Sequence, residues 1–229
     1  MTRKNRFSCL GLVGGLGVGA AIYYYKTLAK AYETEGRALD IVIANAQTSR
    51  VFAYVQAGDR EGLAEYLNSF IRRLEAAGAD SAAIPAVTPH FCVRELIATS
   101  PLPVFNIFEP LIQEVAARAA RRVAIFGTRF VMESALFGQL SEVEIVKARP
   151  DEADFIHNTY VELAQKGEGS GEQHSGLTAL ALKLCSREGL DAIILAGTDL
   201  ALLFNAANTD FPYIDCAELH LQAILNGLL

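Results

Sequence analysis

Three threonines stand where a short apolar run gives way to a loop: Thr88 in IPAVTPH, Thr128 in FGTRFVME and Thr198 in ILAGTDL. A hydroxyl beside open backbone amides can hold a carboxylate without bringing in a full charge. Threonine is also a common helix cap, and for each of the three both roles stay open. A fourth segment, GGLGVG at 14–19, lets backbone approach a ligand closely, with Gly15 and Leu16 at its centre. Its amides open onto a helix start, which favours an anion. Groups able to move protons lie nearby. His90 changes charge near neutral pH, and Glu133 and Asp199 could serve as acids or bases if desolvated. The plainer role of the two carboxylates is helix N-terminal charge. Cys92, two residues after His90, reads as a core sulfur.

The glycine loop departs from a dinucleotide fingerprint, because Ala20 stands where a third glycine would be. The second strand ends near Asn45, with Asp40 at its start, where such a site wants a terminal acid. No nicotinamide or flavin cofactor is expected.

Strand-like apolar runs place these loops. They cover 7–13, 39–44, 81–84, 103–107, 122–126, 143–147 and 192–195, with a further short one in PYIDC. Helical patterns fill 16–32, 62–77, 91–98, 112–119, 151–165 and 177–188; Leu63, Leu67, Phe70 and Leu74 mark the clearest stripe. This alternation predicts an α/β protein with parallel sheets and crossover helices. The order also repeats. Strand ends at Gly14 and Ala86 lie 72 positions apart, and those at Gly127 and Gly197 lie 70 apart. Two pseudo-equivalent lobes follow, 1–107 plus 209–229 and 108–208, with the C-terminal segment expected to return to the first.

The 229 residues suffice for two such lobes, and 52% hydrophobic with 20% charged content is ordinary for a folded chain. A net charge of −6 argues against nucleic acid, and Arg118, Arg121 and Arg122 read as solvated helix-end charge. Cys9, Cys92, Cys185 and Cys216 form no metal-like spacing and read as buried reduced thiols of a cytoplasmic protein. Arg3, Lys4 and Arg6 before SCLGLVGGLGVGAAI superficially match a secretory signal. The stretch reads more naturally as strand, glycine loop and helix start, and no apolar run reaches the ~20 residues of a membrane span.

Taken in order, the loops resemble the aspartate/glutamate racemase family over nearly the whole chain. GGLGVGAAIYYYKTL is similar to the family's GGMGPEAT followed by Tyr-Tyr, IPAVTPH to IPCNTAH, FGTRFVMES to GTRFTMES, and ILAGTDL to ILGCTEL. The resemblance implies two Rossmann-like lobes with a small carboxylic acid bound in the cleft between them. It also implies catalysis without pyridoxal phosphate, metal or other cofactor, and a homodimer.

In the family, one cysteine from each lobe flanks the substrate α-carbon; one removes the proton and the other returns it. The resemblance puts Ala86 and Gly197 at those places, Val87 at an asparagine and Val131 at a second threonine. Thr88, His90, Thr128 and Thr198 persist, His90 in a loop-supporting role, and Asp199 stands for a glutamate. It matches Arg50 and Lys166 to residues that hold the substrate's distal carboxylate. Two-thiol racemisation is therefore not expected. What remains is altered chemistry (an isomerase, lyase, decarboxylase or cyclase), an inactive carboxylate-binding relative, or racemisation with unusual bases.

Overall fold

A computed structural model describes residues 7–229. The chain divides into two units, Met1–Asn106 with His220–Leu229, and Ile107–Leu219. The first carries strands β1 (Leu10–Gly14), β2 (Ile41–Asn45), β3 (Ser81–Ala83) and β4 (Val104–Phe105), all parallel in the order β2-β1-β3-β4. The second carries β5 (Arg122–Phe126), β6 (Glu144–Ile145), β7 (Ala192–Leu195) and β8 (Tyr213–Asp215), parallel in the order β6-β5-β7-β8. The α/β class, the parallel sheets and the repeat expected from strand spacing are all present. The expected division put residues 209–219 with the first lobe. β8 instead pairs with β7, Leu195 opposite Asp215, so the crossing into the first unit comes at His220.

Burial accounts for the strands. β1 and β7 are central and buried throughout, as strands covered on both faces must be, whereas β2 is an edge and leaves Ile43 exposed. Each unit fastens its first strand with an aspartate preceding its third. Asp80 accepts from the Ser8 and Cys9 amides at 2.8 and 3.2 Å, and Asp191 accepts from the Arg121 and Arg122 amides at 2.7 and 2.9 Å.

The helices of the first unit are α1 (Val18–Thr34), α2 (Thr48–Ala57), α3 (Arg60–Ala76) and α4 (Val93–Thr99). Asp59 caps α3 through the Gly62 amide at 2.8 Å, and its Leu63, Leu67, Phe70 and Leu74 stripe is buried. The helices that follow are α5 (Phe108–Ala117), α6 (Arg129–Glu133), α7 (Pro150–Lys166), α8 (Gly171–Glu188) and α9 (Cys216–Leu228). A capping box joins Ser170 and Gln173 at the start of α8. Arg187 of α8 grips buried Glu152 of α7 bidentately at 2.6 and 2.8 Å, with Lys183 at 3.0 Å.

Two local expectations are corrected. Arg122 begins β5 as the 122–126 run expected, but it pairs with Glu144 and Glu188 instead of standing as solvated helix-end charge. Cys185 is half-buried; the other three thiols are buried. The basic residues Arg3, Lys4 and Arg6 lie outside the described residues, and the apolar stretch after them forms β1, the glycine loop and the start of α1. Among the described residues no helix is long and apolar enough to cross a membrane.

Candidate functional site

In parallel α/β sheets the chemistry gathers beyond the carboxyl ends of the strands. In the first unit two such ends carry the loops singled out above. At the end of β1, Gly15 has φ +80°, and a Cβ there would run into the Ala46 carbonyl, so the loop needs glycine. The Thr48 hydroxyl donates to the Gly15 carbonyl at 2.8 Å and holds the loop against the start of α2. Leu16 is half-buried beside it.

Beyond β3 the chain turns through Ala86 and Val87 into a 3-10 turn, Thr88–Cys92, in which Ala86, Val87, Thr88 and His90 are all buried. His90 Nδ1–H donates to the Ala86 carbonyl at 2.8 Å. Its ring meets that of His220 edge-on, 6.1 Å between centroids. His220 Nε2–H donates to the Phe105 carbonyl at 3.0 Å, which leaves Nδ1 to accept the Tyr24 hydroxyl at 3.1 Å. Burial holds both imidazoles neutral, pushing His90 down to about 4 and His220 to about 3. His90 thus braces the Ala86 loop from inside the core.

In the second unit, Thr128 caps α6 by accepting the Val131 amide at 3.3 Å, the capping role left open by the sequence. Val131 is fully buried. Gly127 has no room for a side chain, because a Cβ there would lie 2.9 Å from the Ala196 carbonyl. Thr198 and Asp199 follow β7 in a second 3-10 turn, Thr198–Leu202, both fully buried. Gly197 precedes them, and the ring of Tyr160 from α7 fills the place of its missing side chain. A Cβ at Gly197 would lie 2.6 Å from Cδ2 and 2.8 Å from Cζ of that ring. The Tyr160 hydroxyl donates to Asp199 Oδ2 at 3.2 Å, with Thr198 as a further partner. Burial first, and the Asp199 charge second, keep the phenol well above its usual range, so it holds its proton.

The remaining sequence-predicted residues stand at the surface. Arg50 is exposed, its guanidinium 5.0 Å above the Tyr66 ring. Lys166 pairs with Glu162 at 2.5 Å. Glu133 is exposed and ends α6 instead of beginning a helix, which corrects its expected N-terminal place; its partner is Arg129 at 3.8 Å. No thiol is primed for proton transfer. Cys92 donates to the Pro89 carbonyl and is pushed up to about 12 by burial, and burial also raises Cys9, Cys185 and Cys216.

Tyr24, Tyr160, His220 and Asp215 were missed from sequence. Asp215 ends β8, caps α9 through the Ala217 and Glu218 amides at 2.7 and 3.3 Å, and is raised by burial to about 7. The available signal for Tyr160 was Gly197 itself, since a glycine at a strand end often makes room for a close neighbour.

Solved structures share this fold. A candidate Asp/Glu racemase from Yersinia pestis superposes with a TM-score of 0.77 at 22% identity, covering 96% of this chain and 99% of its own. An aspartate racemase homologue from Pyrococcus horikoshii OT3 gives 0.75 at 22%, covering 95% and 97%. Arylmalonate decarboxylase gives 0.53 at 14%, covering 96% and 92%. The profile of the Asp/Glu/Hydantoin racemase family matches residues 13–224, and to that family the chain belongs.

Proposed function

We propose that this protein binds a small carboxylic acid at its strand-end loops and does not exchange α-protons by a pair of thiols. The carrying observation is the Tyr160 ring in the space a side chain at Gly197 would need. A cysteine cannot be accommodated there while that ring stays. At Ala86 the side chain is a methyl group, and the nearby imidazole is turned back onto the loop carbonyl. Each unit carries a 3-10 turn directly beyond the carboxyl end of a central strand, Thr88–Cys92 in the first and Thr198–Leu202 in the second, where parallel sheets take their ligands. Incubation with aspartate or glutamate in heavy water, followed by proton NMR, should show no α-deuteration above the protein-free blank. Calorimetric titration with small mono- and dicarboxylates should show binding that Thr88→Val and Thr198→Val each weaken. Robust deuteration overturns the reading of Ala86 and Gly197.

A second reading, an enzyme of altered chemistry, is favoured by the Tyr160–Asp199 pair. The phenol keeps its proton and Asp199 orients it, so it can protonate only a strongly basic centre such as a carbanion. In a decarboxylation of the kind named for the structural neighbour, carbon dioxide leaves with the bonding electrons remaining on the α-carbon. The phenol proton then passes to that carbon, and water reprotonates the phenolate. Turnover of a substituted malonate, lost in Tyr160→Phe, supports this reading. No turnover with retained carboxylate binding leaves the binding protein.

A further inference from the structure

A pocket of about 470 Å³ opens in the second unit beside the carboxyl ends of β5 and β6, away from the turns that carry Thr198 and Asp199. Its floor is aliphatic, with Ile125, Ile145 and Met132, and Ala153 of α7 forms one wall. Its polar groups are Arg129, Glu133 and Lys147. A mostly apolar lining with a few convergent polar groups, at this volume, is the usual make-up of a small-molecule site.

The charges define the ligand. Arg129 is engaged by Asp154 and Glu133, so its charge is largely answered. Among the described residues no carboxylate forms an ion pair with Lys147, which leaves one ammonium over an aliphatic floor. A single carboxylate satisfies that ammonium, whereas a second would meet Glu133 at the rim. We infer that this pocket is a binding site for a monocarboxylic acid with an aryl or branched aliphatic body, its carboxylate on Lys147 and its body on Ile125, Ile145 and Met132. The site shares α6 with the Thr128 loop, and neither 3-10 turn of the proposed function lines it. That helix turns Val131 into the core and begins at the Thr128 cap, while Arg129, Met132 and Glu133 face the pocket.

Phenylacetate titrated into protein labelled at its Ile and Met methyls tests the site. The expected result is saturable shifts at Ile125, Met132 and Ile145, with phenylsuccinate binding more weakly. Lys147→Ala should weaken phenylacetate about tenfold, the loss expected of one charge-assisted contact. Ala153→Leu, which fills the pocket without breaking α7, should abolish the shifts. Thr198→Val should leave them unchanged, so failure of this site and failure of the strand-end reading are distinguishable. The absence of saturable shifts at those methyls, or equal affinity in Lys147→Ala, overturns the proposal.

Discussion

The Tyr160 ring stands in the volume that a side chain at Gly197 would occupy, with its Cδ2 2.6 Å from the place of the missing Cβ. Residue 197 must therefore be glycine for as long as residue 160 is an aromatic locked to Asp199. Gly197→Cys alone should lower stability by about 1–3 kcal/mol, the usual cost of overpacking a well-filled core. Gly197→Cys with Tyr160→Ala should recover part of that loss, because the new side chain enters space the ring has vacated. Thermal unfolding of the wild type, both single variants and the double variant forms a cycle that checks the coupling. Additive effects would show that the two residues do not share the space.

The buried imidazoles set the acid limb of stability. Both have folded values below the ordinary 6.5, about 4 for His90 and about 3 for His220, so the unfolded chain takes up the extra protons. Their stabilising effect is complete above pH 6.5 and is lost as pH falls through 4 towards 3. Urea midpoints should drop across that range. His90→Asn, which keeps a donor for the Ala86 carbonyl, should reduce the slope by about one proton.

Asp215 acts with the opposite sign. Its folded value, about 7, lies above the ordinary 3.8, so the folded state holds a proton that the unfolded state releases. Its contribution is complete below pH 3.8 and is lost as pH rises through 7. Asp215→Asn keeps the acceptor that caps α9 and removes the titration. The stability of the variant relative to wild type should increase from pH 4 to 7 and then level off, measured as paired urea midpoints.

Removing the guanidinium from the α7–α8 clamp should be costly. Arg187→Met leaves the Glu152 carboxylate buried, with Lys183 and the Arg149 amide still in reach. Loss of a fully buried partner costs roughly 3–5 kcal/mol, and the remaining donors place this change nearer 2. Glu152→Gln with Arg187→Met should be milder than Arg187→Met alone, because the stranded charge is gone. Chemical denaturation of the three proteins checks the order.

Much of the scaffold was legible because burial wrote it into the residue order. The α3 stripe, RVAIF and AIIL each show their period or their apolar run, and each lies within two residues of its expected place. Thr48–Ala57 was not legible as a helix, since only Val51 and Val55 are buried and no apolar stripe forms. The short turns after β3 and β7 escaped for a related reason, being held by a few backbone bonds instead of a periodic face. Of the site, the loop residues could be read in place, but their partners could not. Tyr160 sits four residues after Ile156 and reads as part of a core stripe; its contact with Gly197 spans 37 positions and leaves no local trace. Arg50 and Lys166 show the converse, side chains matched by analogy whose observed engagements are Tyr66 and Glu162.

The carboxyl-terminal helix changes unit at His220, and the imidazole there ties Tyr24 to Phe105. During ribosomal synthesis the half that begins first must therefore wait. All four strands of the later-made half are translated before His220 emerges, whereas the earlier half lacks residues 220–229 until they too are made. Completion runs opposite to translation, and a nascent chain stalled a few residues short would carry a finished second half on an unfinished first.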